Sequence, residues 1–199
     1  ITLAITANIR AFTVLGKVVG IPNNTGNVEL SVGDQPPITS AVDDSGHYSV
    51  AVSVDDSFDD SVLTATYTGT GDSAHIKLRS VLGSVERLIG LAGDDNTLTN
   101  TEVFAVNITP LSTATAIMLE SINNGQISQL MNYDAALKSY DDTTVFYYAV
   151  ALDVVINNAD FELPEGIATT IDLLNANVVV AQFVHDLIQN HQSTVAESS

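Results

Sequence analysis

Residues Thr39–Val54, TSAVDDSGHYSVAVSV, decide the fold class of this chain. Tyr48, Val50, Val52 and Val54 alternate with small polar residues, which is the period of a half-buried strand. Asp43-Asp44-Ser45-Gly46 ahead of them is a turn. Asp and Ser bond back to their own backbone, and Gly tolerates a positive φ. The stretch is therefore expected as two strands around a tight acidic turn. His47, next to Tyr48, is expected to point to the opposite face.

Further strands flank this hairpin. Ile1–Ala7, ITLAITA, alternates Ile1, Leu3 and Ile5 against Thr2, Ala4 and Thr6. Phe12–Val19, Asn27–Val32, Val62–Thr68, Ala74–Leu82, Val85–Leu91 and Glu102–Ile108 are expected as strands too. Between them stand IPNNTG (21–26), the Pro36-Pro37 loop, DDSFDD (55–60), GTGD (69–72) and GDDN (93–96), all turn-forming in composition. Short strands with turns every eight to twelve residues indicate a β-sandwich.

GKVVG (16–20), NVELSV (27–32) and TSAVDDSGHYSVAV (39–52) resemble the carboxypeptidase regulatory-like domains, which have a transthyretin-like sandwich. In that family an aspartate-rich turn ending in Gly plus an aromatic precedes an outgoing strand, and Asp43, Asp44, Gly46 and Tyr48 match it. The family's usual Pro-Leu-x-Gly-Ala element is replaced by IPNNTGN. The resemblance spans about residues 12–105 and implies a non-catalytic module of the kind common in surface and secreted proteins.

The period changes at Asn107-Ile108-Thr109-Pro110. Thr109 suits a helix N-cap and Pro110 a first helical residue. Leu111, Ala114, Met118 and Ile122 then fall at helical spacing, and Asn123-Asn124-Gly125 closes the helix. Helices are also expected over 127–140, over 144–157 behind an Asp141-Asp142-Thr143 cap, over 166–174, and over 176–190 with Val180, Val184, Leu187 and Ile188 on one face. The expected class is thus α+β: a transthyretin- or Ig-like β-sandwich over 1–108 with an extra N-terminal strand, then a small helical bundle over 109–199. The junction NITPLSTATA resembles the sandwich-to-helix joint of prokaryotic envelope proteins.

Charge narrows the role. The 199 residues carry 24 acids against 6 bases, a net charge of −18, shared between both halves. Such a surface repels phosphate backbones and anionic membranes, so nucleic acid is excluded as a partner. No apolar run reaches the eighteen residues of a spanning helix, so direct membrane insertion is not expected. Cysteine is absent, which removes disulfides, thiolate metal sites and thiol nucleophiles. Scarce Lys and Arg with abundant Thr, Ser, Asn and Val lean toward an exported protein, extracellular or in the cell envelope. The start at Ile1 is expected as the end of a processed chain.

Candidate chemistry is sparse. His47, His75, His185 and His191 are not at metal-ligand spacing. No G-x-S-x-G elbow or phosphate loop is present. Paired carboxylates could serve a glycosidase, but a chain without Trp supplies few cleft walls. No enzyme is expected, and no cofactor beyond calcium, for which Asp55, Asp56, Asp59, Asp60, Asp94 and Asp95 offer hard oxygen ligands outside EF-hand order. Asn23 and Asn107 fit the N-x-T glycosylation pattern, with Asn23 the more accessible.

The expected role is a non-catalytic exported structural or interaction protein. Its sharpest form is a cell-surface filament subunit whose Ile1, Leu3 and Ile5 add a strand to another copy. The alternative is a glycan- or peptide-binding envelope module.

Overall fold

Period-two burial builds the first half of the molecule. The structure, a computed structural model, describes residues 8–22, 24–123, 125, 127, 133–139, 141–158, 162–176 and 178–186. The expected strand carrying Ile1, Leu3 and Ile5 lies outside them, as does Asn23. Seven strands are described: β1 (Ile9–Lys17), β2 (Gly26–Val32), β3 (Ile38–Ala41), β4 (His47–Asp55), β5 (Val62–Gly69), β6 (Lys77–Ser84) and β7 (Thr97–Leu98). They form a three-stranded sheet, β4-β1-β7, and a four-stranded sheet, β3-β2-β5-β6. The class is mixed α+β.

The acidic turn forms as the sequence indicates, but it is not a hairpin turn. Asp43 Oδ1 accepts the N–H groups of Ser45 and His47 at 2.9 and 2.8 Å, and Gly46 takes φ 87°. The flanking strands then part. β3 pairs with β2 in one sheet, and β4 pairs with β1 in the other. The physical reason is ladder length. Pro36 and Pro37 stand just ahead of β3, which has only four residues, whereas β1 meets β4 over nine, from Ile9–Asp55 to Lys17–His47. That longer ladder sets Phe12 opposite Val52 and Val14 opposite Val50, all buried.

Two other expected strands are not strands. Residues 85–91 belong to α1 (Val85–Ala92), capped by Ser84, whose Oγ accepts from Arg87 N–H. Val85, Leu88 and Ala92, three and four apart, face the core, so the helical period outweighs the local alternation. Residues 102–108 form a 3-10 turn, Phe104–Val106, and a single bridge from Ile108 to Val18. Phe104 is exposed while Val106 and Ile108 are buried.

Thr109 and Pro110 start α2 (Pro110–Ile122) as expected. Thr109 and Ser112 satisfy each other's backbone N–H at 2.9 Å, a reciprocal capping box. The buried face differs from the expected stripe. Thr113, Ala114, Ala116, Ile117 and Leu119 are buried, while Leu111 and Ile122 are exposed. The face is turned so that small residues and a hydroxyl meet the sheet. After α3 (Tyr133–Ala136), α4 (Asp142–Asn157) starts at an Asp141 cap, and α5 (Thr170–Asn175) is shorter than the expected 166–174. A further helical stretch covers 178–186; Val180 is buried, and Leu187 and Ile188 lie outside the described residues.

One apolar core joins these parts. Val14 and Val50 of the first sheet and Leu30, Tyr67 and Leu78 of the second share it with Leu88, Ile117, Leu152 and Leu173. Each such side chain contributes about 1.5–3 kcal/mol on burial. Within it, the Tyr48 hydroxyl donates to the Val106 carbonyl. Gly16 stands opposite Tyr48, and a Cβ there would collide with that carbonyl and with the tyrosine ring. A glycine is what lets the 104–106 turn close over the sheet.

Two outcomes follow from these caps and contacts. Thr109→Ala removes the N-cap acceptor and is expected to lower stability by about 1 kcal/mol in urea titrations. Burial pushes the Tyr48 phenol well above its ordinary pKa, and Tyr67, whose hydroxyl donates to Thr25 O at 2.9 Å, is raised for the same reason. The folded state therefore favours the protonated phenols. Their contribution is intact below the unfolded tyrosine pKa of about 10 and is lost as pH rises beyond it. Tyr48→Phe should cost about 1 kcal/mol at neutral pH and make the alkaline loss shallower, as read from unfolding midpoints at pH 7 to 11.

Candidate functional site

An exposed strand edge presents unpaired N–H and C=O groups, and the sheet edges are treated unequally. At β6 the outward backbone groups are met by side-chain hydroxyls. Arg79 N–H donates to Thr113 Oγ1 at 2.9 Å, and Ser112 Oγ donates to Arg79 O at 3.1 Å. Lys77 N–H donates to Thr170 Oγ1 at 2.9 Å, and the same hydroxyl donates back to Lys77 O. Ser80 Oγ donates to Ala105 O at 2.6 Å. Thr113 and Thr170 are fully buried. The first turns of α2 and α5 thus seal this edge, and Arg79 further pairs with Glu120 of α2.

β4, at the edge of the other sheet, is not sealed. Asp56 N–H donates to Asn8 O, and Val18 N–H to Gly46 O, so the even-numbered residues of β4 bond to β1. Ser49, Ala51 and Ser53 therefore turn their N–H and C=O groups away from β1, and those groups have no hydrogen-bond partner among the described residues. The top of the edge is closed by Asp43, which bonds His47 through both its backbone N–H and its carboxylate. Those two backbone donors, from His47 and Ser45, hold the Asp43 carboxyl below its ordinary pKa. Between His47 and Asp55 the edge carries no charge, no proline and no register shift. Ile38, Val42 and Phe58 are only partly buried against the core.

Three of the six acids expected to bind calcium hold hydrogen bonds within the fold. Asp55 caps the 56–58 turn through Ser57 N–H at 2.9 Å, and Asp95 accepts Thr97 N–H at 3.0 Å. Asp59 takes both ends of the Arg10 guanidinium, at 3.2 and 3.0 Å, which raises the pKa of Arg10. Asp56, Asp60 and Asp94 are exposed. Among the described residues no group of three or more acids and histidines converges on one point. His47 and His75 are exposed as well, and His47 does point away from Tyr48, with its Nδ1 3.4 Å from Asp43 Oδ2. Asn107 Oδ1 accepts Lys17 N–H at 3.1 Å.

Open concavities lie among the described residues. One of about 580 Å3 sits at the His47 end of β4, lined in part by Lys17, Ser40, Asp43, His47 and Asn107. Another, about 610 Å3, runs along Thr64, Thr66 and Thr68 beside α5, and a third, about 640 Å3, lies between α4 and residues 162–168. Phe146, Tyr147 and Val150 leave an apolar stripe of α4 exposed. Among the described residues no helix is long and apolar enough to cross a membrane. Comparison with protein-family models, curated proteins and solved structures finds no match for this chain.

The hydroxyl seal escaped sequence reasoning because a Thr inside a helix reads as a neutral residue. The open edge left a signal: Ser49, Ala51 and Ser53 are small and uncharged where edges usually carry Lys or Pro. Thr170→Val keeps the shape but strands two part-buried backbone groups of Lys77. The expected loss is about 1–3 kcal/mol in urea denaturation, and a loss under about 0.5 kcal/mol would mean that water replaces the hydroxyl.

Proposed function

We propose that this chain is a non-catalytic exported structural protein, a subunit of a cell-surface filament built by N-terminal strand addition through Ile1, Leu3 and Ile5. Its two sheets are read as a transthyretin-like sandwich related to the carboxypeptidase regulatory-like domains, with a small helical bundle behind it, and its place is extracellular or in the cell envelope. The observation that carries this reading is the contrast between a β6 edge sealed by buried hydroxyls and a β4 edge left bare. Natural sheets blunt their free edges unless something is meant to pair there. Partners are copies of the same chain. With −18 on each copy, assembly requires screening by salt or bridging by divalent cations such as calcium at the acidic turns.

A glycan- or peptide-binding envelope module is the second reading. It is favoured by the concavity beside His47, where Lys17, Asn107 and Asp43 bring donors and acceptors to a largely apolar lining.

Sedimentation and thermal unfolding of the full chain and of a chain lacking residues 1–7 separate the two. Strand addition predicts salt-dependent polymers for the full chain and a folded monomer with an unchanged midpoint for the truncation. A full chain that stays monomeric at high concentration and moderate salt supports the binding module instead.

A further inference from the structure

The bare edge has a definite hydrogen-bonding phase, and that phase can be compared with the alternation of residues 1–7. Ser49, Ala51 and Ser53 point their backbone groups outward, and their side chains lie on the exposed face of the sheet. Val50, Val52 and Val54 point inward and are buried. In an antiparallel pair, directly opposed residues share a face and bonded pairs alternate with unbonded ones.

We infer that β4 is the acceptor strand and that it takes residues 1–7 of a second copy antiparallel, with Thr2, Ala4 and Thr6 opposite Ser53, Ala51 and Ser49. This rests on the filament reading above. In this register the donor's even residues exchange backbone bonds with the three outward rungs. Ile1, Leu3 and Ile5 then stand opposite Val54, Val52 and Val50 on the core side of the sheet. A slip of one residue would keep the backbone bonds but turn all three apolar side chains to solvent, so burial sets the register. Neither the donor nor the acceptor rungs carry a charge, so this contact avoids the repulsion that the rest of a −18 surface imposes.

The direction follows from where the chain enters β1. Asn8 is bonded to Asp56 and leads straight into Ile9, so each copy's donor segment leaves at the Asp55 end of β4. A donor running parallel to β4 would bring the second copy's body to that same end, against the acceptor's own donor. Running antiparallel, the second copy's body lies beyond the His47 end and the Asp55 end stays free for the next contact. Such a contact repeats without closing, which makes a filament rather than a ring. The donor's first residue lies level with Val54, itself opposite Arg10, so successive copies are offset by about nine residues, about 30 Å along the strand.

Ala51→Pro in the full chain tests the acceptor. It removes the central outward N–H without touching a bond to β1, the kind of edge position where proline is tolerated. The variant should keep its thermal midpoint within a few degrees and remain monomeric where the parent polymerises. Hydrogen exchange on the unsubstituted chain gives an independent reading should the proline variant fail to fold. The amides of Ser49, Ala51 and Ser53 should exchange about tenfold more slowly, or slower still, in the polymer than in the monomer. Electron micrographs should show an axial repeat near 30 Å. Polymers that form equally well with Ala51→Pro, or that leave those three amides unprotected, would overturn the assignment of β4 while leaving strand addition itself standing. A full chain that never polymerises would overturn both.

Discussion

The outward backbone groups of β6 must find partners once helices cover them, and this requirement organises the molecule. A buried N–H or C=O left unpaired costs about as much as several favourable contacts contribute. Thr113 and Ser112 answer it for Arg79, and Thr170 answers it for Lys77. These residues sit in the first turns of α2 and α5, beside the caps that start each helix: Ser112 completes the capping box with Thr109, and Thr169 caps α5. Once the two helices are pinned to β6, Ile117 and Leu173 enter the apolar core that the two sheets share.

That seal makes the opposite side of the molecule informative. β4 presents three outward rungs with small side chains, Ser49, Ala51 and Ser53, and the rung before them, His47, is closed by Asp43. The turn around Asp43 therefore has two tasks. It passes the chain from the β3 sheet to the β1 sheet, and it ends the bare edge at His47. The long β1–β4 ladder, held by Val14 against Val50 and Phe12 against Val52, keeps that edge straight and in a single bonding phase. A stable, regular, uncharged edge is what an added strand requires.

The charge of the chain acts on association more than on the fold. Arg10 and Arg79 are spent on Asp59 and Glu120, which tie β1 to the 56–60 turn and α2 to β6. Many acids instead cap turns or helices, as Asp43, Asp55, Asp95 and Asp141 do. The remaining negative surface opposes contact between copies, and does so least at an edge that carries no charge.

Local signals sufficed where a residue acts on its own neighbours. The alternation of Tyr48, Val50, Val52 and Val54, the Asp43–Gly46 turn, the Thr109-Pro110 helix start and the Asp141 cap could all be read from the sequence, because each depends on residues within four positions. Pairing could not be read in that way. Whether β4 meets β3 or β1 turns on a competition between a short local ladder and a long one formed by residues about forty positions apart. The alternation in residues 85–91 was likewise outweighed by a core that wanted Val85, Leu88 and Ala92 on one helical face. The sealed edge was legible only from the tertiary structure, and the small, uncharged Ser49, Ala51 and Ser53 were the one trace of the bare edge in the sequence. A hydroxyl becomes an edge partner when another element places a backbone N–H about 3 Å away, and no spacing along the chain encodes that distance.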